Sequence, residues 1–417
     1  MLDIQFIRDN AKEVKQAAKD KGRNPEAVDL VIKLDLERRE LLGEIEAIRA
    51  ERNKLEREEV EKGRELKSKL KDLEPRLRQV EVKLKEMMLQ IVSVPAKGVP
   101  VGKDEKGNKL VREWGKLPSF KFKALDHIEL GQKLDLLDLD RGVKVSGFRG
   151  YFLKNEAVMM QLGLMQYALS KLISKGFLPM IPPIIVKAET LVNTGHFPWG
   201  EVDVYKTFDD EKEEQVRYLA GTAEVPLVSY HSNETLMEKD LPKLYAGFSP
   251  CYRREIGSYG KDTKGMYRIH EFMKIEQVIL CKNDMKESEK WHEKLTSYAE
   301  EMLKELKLPY RVMLMCTGEM GEPQVKKYDI ETWMPSRKAY GETMSSSMMA
   351  DFQSRRANIR YKTKDNETKF VHMLNNTALA SPRILVAIWE NYQQADGSIK
   401  VPTVLQKYVG KKVIKPC

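Results

Sequence analysis

Residues Phe248–Leu280 read FSPCYRREIGSYGKDTKGMYRIHEFMKIEQVIL. The stretch opens like a strand and delivers Arg253 and Glu255, two residues apart and so on one strand face. A loop rich in Gly, Ser and Lys follows, with Gly257, Ser258, Gly260, Lys261, Lys264 and Gly265. A second strand returns with Arg268, His270, Phe272, Lys274 and Glu276, again at period two. An antiparallel hairpin of this kind aims Arg253, Glu255, Arg268, Phe272 and Glu276 at one site. Guanidinium groups fork onto phosphate oxygens, an aromatic face stacks on a base, and carboxylates take amino groups. A half-buried surface hairpin alternates in the same way, so pattern alone leaves both readings open. The basic glycine loop favours phosphate or RNA.

Around this hairpin, short apolar runs read as strands: FLPMIPPIIV (Phe177–Val186), FMKIEQVIL (Phe272–Leu280) and YRVMLM (Tyr310–Met315). Helical stretches over Asn155–Lys175, Lys286–Leu306 and Ser381–Gln394 alternate irregularly with them. No steady βαβ repeat is present, and neither G-x-G-x-x-G nor G-x-x-x-x-G-K-[ST] occurs. An α+β fold with a largely antiparallel sheet is therefore expected over 111–417.

The N-terminal part has a different grammar. From about Ala27 to Gln90 it holds almost only helix formers and charges. Leu66, Leu70, Leu73, Leu77, Val80, Leu84, Met87 and Ile91 step by four and three, the a/d seam of a coiled coil. Val31, Leu34, Leu41, Ile45, Ile48 and Leu55 keep a similar period, interrupted by Arg38 and Arg52. Gly63 lies near the midpoint, so the spacing predicts an antiparallel helical hairpin over about 27–92 that folds back there. Pro75 removes a helical hydrogen bond, which predicts a kink or a tip placed further along. Lys62, Arg64, Lys67, Lys69 and Lys71 cluster around the proposed tip. Val94–Asn108, rich in Pro and Gly, reads as a linker that closes a first domain at about residue 110.

The 417 residues carry 72 Lys and Arg against 63 Asp and Glu, a net charge of +9 compatible with an RNA partner or with a merely basic surface. Cys251, Cys281, Cys316 and Cys417 lie far apart with no C-x-x-C pair, which argues against a zinc finger or a disulfide framework. His196, His231 and His292 are isolated and read as core or surface histidines. No apolar run reaches the ~20 residues needed to cross a bilayer. MLDIQFIRDN lacks the basic flank and apolar stretch of a signal peptide. A cytoplasmic enzyme with reduced thiols and no membrane partner is the expectation.

R-R-E, a glycine-rich loop and R-x-H-E-F-x-K-x-E together resemble motif 2 of class II aminoacyl-tRNA synthetases, in the form of the seryl branch. GFLPMIPPIIV (Gly176–Val186), with Pro182 and Pro183, is similar to motif 1, the family's dimer-interface strand. GTAEVPL (Gly221–Leu227) resembles the T-x-E serine-binding loop. YGETMSSSMMADFQSRRANIRYK (Tyr340–Lys362) resembles the E-x-x-S stretch with its D-F-Q-x-R-R signature. LNNTALASPRILVAIWENYQQADGSIKVP (Leu374–Pro402) resembles motif 3 and the tail of the seryl branch. The N-terminal hairpin is similar to the arm with which that branch grips the long variable arm of its tRNA. The resemblance spans essentially the whole chain, in order.

The resemblance implies an enzyme that activates L-serine with ATP and transfers it to tRNA-Ser, with tRNA-Sec as a further candidate, working as a homodimer. It implies that Arg253 bridges carboxylate and α-phosphate, with Arg254 beside it and Glu255 near the adenine amino group. Arg268 reaches the terminal phosphates, Ile269 sits against the nucleotide, Phe272 stacks on one adenine face, and Arg383 covers the other or touches the γ-phosphate. Glu342 and Ser345 match the pair that holds Mg2+, with Thr343 and Met344 between them on the nucleotide. Thr222, Ala223, Glu224, Arg253, Glu276, Asn375 and Thr377 form the serine pocket. No zinc is implied.

The chain departs from the branch where it carries Met348, Met349, Ser381 and Pro382, and its arm is short. Pro382 is expected as the first residue of the motif 3 helix. Two rivals remain open at this stage: a paralogue that loads a carrier protein, and a coiled-coil interaction protein with an inactive synthetase domain. The presence of the arm disfavours the first, and the intact Arg253, Glu255, Glu342 and Arg383 the second.

Overall fold

The computed structural model describes residues 1–56, 59–207, 216–256 and 264–416. They form two compact units, Met1–Pro95 and Ala96–Cys417. In the first unit, helices Ile4–Asp9 and Ala11–Asp20 precede two long helices, Glu26–Arg52 and Val60–Met88. Leu34, Leu41, Ile45 and Ile48 pack with Leu66, Leu70, Leu73 and Val80, as the two seams require. A separate cluster of Ile7, Val14, Val28, Val31, Met88 and Ile91 closes the root. Arg38 interrupts the seam because it has another partner. The fully buried Asp35 takes Arg38 at 3.1 Å, together with Arg8 at 2.6 Å and Arg39 at 3.1 Å.

The turn is not at Gly63. The first helix stops at Arg52 and Gly63 lies in the opening turn of the second, over Leu55, where a glycine costs about 1 kcal/mol against alanine. Pro75 sits within the continuous second helix on its exposed side, where water can take the carbonyl it leaves unpaired. The expected linker also packs differently. Ala96 N–H bonds Val325 O at 2.7 Å, Thr317 N–H bonds Pro100 O at 3.0 Å, and Gly318 N–H bonds Gly102 O at 2.8 Å. These backbone partners put residues 96–108 in the second unit, so the division falls near residue 95 rather than 110.

The second unit is built on an eight-stranded sheet. Its strands are β1 (Lys109–Trp114), β2 (Leu178–Met180), β3 (Lys243–Tyr252), β4 (Glu271–Cys281), β5 (Tyr310–Leu314), β6 (Lys326–Met334), β7 (Ala339–Ala350) and β8 (His372–Ala380). Their spatial order is β1-β5-β6-β7-β8-β4-β3-β2, antiparallel except between β2 and β3. Pro182 and Pro183 end the Phe177–Val186 run as a single strand: β2 stops at Met180 and a separate short strand starts at Ile185. Alternation on β4 sends Ile275, Ile279 and Cys281 into the main core, with helices Glu156–Ser174 and Met285–Glu305. Val278 and Leu280 point to a second cluster, and Lys274 and Glu276 open into a cavity. Between β4 and β8 the register breaks: Ile275 faces Leu379 but Glu276 faces Thr377, so Ala378 is an extra residue, a β-bulge. No helix among the described residues is long and apolar enough to cross a membrane.

His292, on Met285–Glu305, is fully buried, stacked on Tyr328 at 4.7 Å, with Nε2 3.1 Å from Ser346 O. Burial pushes its pKa down from 6.5 to about 4. The unfolded chain then binds this proton first, so stability falls as pH drops from about 6.5 to about 4. Urea midpoints measured across that window should decline, and His292→Gln should flatten the decline. An unchanged slope in the variant would contradict the assignment.

Candidate active site

The β3–β4 hairpin brings the motif 2 residues together, though by a different local geometry from a simple strand face. Regular pairing ends with Tyr252 opposite Glu271, and Arg253 N–H adds one more bond, to His270 O at 2.9 Å. Glu255 therefore lies beyond the strand. Its φ of 55° turns the chain so that its carboxylate accepts Arg268 Nη1 at 2.5 Å. Arg268 in turn precedes β4, so the period-two face begins at Phe272. Of the glycine-rich loop, Gly257, Ser258, Gly260 and Lys261 lie outside the described residues.

Arg253 spans two chemically distinct groups. Its guanidinium sits 5.3 Å from the Phe272 ring centre and its Nε donates to Gly221 O at 3.2 Å. On the cationic side, Arg383 donates from Nε to Tyr267 O at 3.1 Å and from Nη1 to Glu342 O at 2.8 Å, and lies 3.3 Å from Glu342 Oε2. Burial works against ionisation of Glu342. Arg383, Lys327 and Arg253 outweigh it and hold the carboxyl below its ordinary value. Beneath Ser345, burial pushes the Asp329 carboxyl up to about 6 against the pull of Lys327, 3.0 Å away, and Glu342 adds to the rise.

On the other side, buried polar groups face one another. Lys274 is ion-paired with Glu276 and donates to Thr222 Oγ1 at 2.7 Å. Glu276 Oε2 lies 3.4 Å from Thr222 Oγ1 and 3.5 Å from Thr377 Oγ1. Glu224 accepts from Gln353 and Asn375, both at 2.8 Å. Burial raises the pKa of both Glu224 and Glu276, and Lys274 opposes it in each case. The two groups line one cavity of about 320 Å³, a size suited to small-molecule ligands.

Arg253, Glu255, Arg268, Ile269, Phe272, Glu342, Thr343, Met344, Ser345 and Arg383 all line this cavity, as do Thr222, Glu224, Glu276, Asn375 and Thr377. Arg254 and Ala223 do not. Arg254 turns away and donates to Val202 O at 3.1 Å, because its neighbour Arg253 takes the inward position. Ala223 is buried in the second core cluster, next to Leu227. Among the departures, Met349 lines the cavity, whereas Met348 is buried in the main core. Pro382 stands at the N-cap, one residue before the helix that starts at Arg383. Lys274, Tyr267, Lys327, Gln324 and His196 also line the cavity. The period of β4 already pointed Lys274 inward; His196 and Lys327 arrive from distant segments with no such signal. His196 is thus a wall residue rather than an isolated one. Among the described residues no three of His, Cys, Asp and Glu gather as metal ligands.

An antiparallel sheet that presents arginines and an aromatic beside a carboxylate-lined pocket defines a class II aminoacyl-tRNA synthetase core. Residues 205–392 match the tRNA synthetase class II core domain (G, H, P, S and T), and residues 1–95 match the seryl-tRNA synthetase N-terminal domain. The chain belongs to the seryl-tRNA synthetase family. It is 44% identical to the serine–tRNA ligase of Deinococcus radiodurans over 99% of both chains. It is 40% identical to that of Pyrococcus horikoshii over 100% of this chain and 98% of the relative. A crystal structure of the Pyrococcus horikoshii seryl-tRNA synthetase complexed with ATP superposes with a TM-score of 0.94, at 39% identity and full coverage of both chains. The cytoplasmic enzyme of Naegleria fowleri in complex with AMP gives 0.91 at 32% identity, covering 100% of this chain and 99% of that one. The chain is accordingly a ligase that joins serine to tRNA, and neither a carrier-loading paralogue nor an inactive scaffold is favoured.

Proposed function

We propose that the cavity holds ATP and L-serine side by side, forms seryl-adenylate, and then passes the seryl group to the 3′ end of tRNA-Ser, with tRNA-Sec a second possible acceptor. The observation that carries this reading is Arg253, which lies over Phe272 and bonds the Gly221 carbonyl, next to Thr222, while lining one cavity with Thr222 and Glu276. A serine carboxylate is already ionised, so its attack on the α-phosphorus needs no general base. Positioning and charge stabilisation are what remain for the protein to supply. In this reading Arg253 spans the carboxylate and the α-phosphate, while Arg268 and Arg383 take the outer phosphates. Phe272 stacks on adenine, with Glu255 and Ile269 along its edge. Pyrophosphate leaves in the first step and AMP in the second.

Glu342 and Ser345 offer only oxygen donors, which suits Mg2+, and these two residues would hold it. When bound, the ion would neutralise phosphate charge. The serine ammonium falls to Thr222 and Glu224, and the hydroxyl to Glu276 and Thr377, with Asn375 holding Glu224 in place. A homodimer is supported by the apolar surface of the motif 1 stretch, where Leu178, Ile181 and Ile185 are 54%, 81% and 59% exposed. The cytoplasm is the proposed location.

Pyrophosphate exchange run across amino acids tests the reading. A site built around a hydroxyl rejects an analogue that lacks it, so alanine should support exchange about 10⁴-fold less well than serine in kcat/KM. Comparable exchange with alanine would remove the case for a hydroxyl-reading pocket.

A further inference from the structure

Outside the cavity, a buried polar network ties together the elements that carry its arginines. Its centre is Glu390, fully buried on helix Arg383–Tyr392. Glu390 accepts from His127 N–H at 3.2 Å and lies 3.3 Å from His127 Nδ1. It also accepts from Ser336 Oγ at 2.8 Å and from Ser336 N–H at 2.9 Å. The other imidazole nitrogen, Nε2, accepts the backbone N–H of Met266 at 3.2 Å. An imidazole that accepts at Nε2 carries its proton on Nδ1, so the His127–Glu390 contact is a charge-assisted donation. His127 itself is fixed as the first residue of helix His127–Lys133, which Asp126 and Glu129 close with a capping box.

Met266 is the exit of the glycine-rich loop, and Tyr267 and Arg268 follow it directly. Gly265, with φ 68°, makes room for the contact, since a Cβ there would overlap His127 Nε2. The Tyr267 ring lies between the guanidinium groups of Arg337, at 4.4 Å, and Arg383, at 4.6 Å. Ser336 precedes Arg337, and Arg383 starts the helix that carries Glu390. The imidazole thus links the loop exit to Glu390 on the motif 3 helix, and Glu390 in turn holds the Ser336 turn. None of His127, Ser336 and Glu390 lines the nucleotide cavity; they line a second cavity, of about 370 Å³, with Tyr267 common to both.

The geometry points to His127 as a positioning residue for the nucleotide side of the site, holding Met266 so that Arg268 stays in phase with Arg383. This rests on the reading of the cavity given above. Loss of the acceptor at Nε2 leaves a buried N–H unpaired and lets the loop exit shift, while β4 is held by its own ladder and Thr222 by Lys274. The effect therefore belongs to ATP and not to serine.

The test is serine-dependent pyrophosphate exchange by the full chain, with ATP and serine varied separately. His127→Leu should raise the KM for ATP by about tenfold and leave the KM for serine within about twofold. His127→Gln, whose amide oxygen can reach the Met266 N–H from the position of Nε2, should recover most of the ATP KM even if it folds less well. The inference fails if His127→Leu leaves the ATP KM unmoved, if both KM values rise together, or if His127→Gln is no better than His127→Leu. Absence of exchange in the unmodified chain would instead sink the reading of the cavity and this inference with it.

Discussion

Arg253→Ala should abolish serine-dependent pyrophosphate exchange, by about 10³-fold or more in kcat, while the protein stays folded. Arg253 lies between Phe272 and the Gly221 carbonyl at the cavity, so its removal loses alignment and charge stabilisation in one step. The neighbouring arginines cannot replace it. Arg268 is committed to Glu255, and Arg383 to Tyr267 and Glu342. Lysine is a poor substitute too, because a point charge does not fork between two oxygens. The fold should survive because the guanidinium's contacts are one carbonyl and one ring face, at the cavity rather than in the core. Exchange kinetics and a thermal melt on the same sample check both halves. Near-normal turnover would overturn the role given to Arg253.

Replacing residues 40–75 with a short Gly-Ser turn should spare exchange and cripple charging of tRNA-Ser, by about 10²-fold or more in kcat/KM. The root of the arm has its own core of Ile7, Val14, Val28, Val31, Met88 and Ile91, which the replacement leaves in place. The seam residues it removes bury one another. What is lost to solvent-facing chemistry is the tip cluster, where Lys62, Arg64, Lys67, Lys69 and Lys71 are all exposed. Two of them already hold ion pairs, Lys62 with Glu51 and Lys69 with Glu65. Exposed pairs of this kind are screened by solvent, so they yield readily to phosphate. Each phosphate contact also releases counterions, so charging by the intact chain should weaken steeply with salt. Exchange and charging measured on one preparation decide the matter. If both activities fall together, the arm is not confined to tRNA binding.

Much of this was legible in the sequence, because period and spacing are local. The heptad seam, β4 and the helix over Glu156–Ser174 follow from periodicity alone. The inward set of Phe272, Lys274 and Glu276 follows from the two-residue repeat of a strand. What periodicity cannot give is where a chain stops repeating. The hairpin turns before Gly63: a lone glycine is tolerated inside a helix at about 1 kcal/mol, so it does not by itself mark a turn. Glu255 reaches Arg268 through a left-handed φ rather than a strand face. Arg254 and Ala223 sit beside true lining residues yet point elsewhere: Arg254 lies past the end of β3 and Ala223 at the N-cap of a short helix, where no strand repeat applies. His196 and Lys327 depend on tertiary folding alone.

Ala378, the unmatched residue of β8, has a further consequence. Before it, Asn375 and Thr377 face the cavity; after it, Ala380 does, so odd numbering gives way to even within one strand. That single extra residue lets the amino-acid pocket and the start of the Arg383 helix share one opening. Excising Ala378 would leave every liganding side chain in the protein yet rotate one half of the site half a pleat against the other. The two halves of the lining are therefore set by a count of residues along β8 as much as by which residues they are.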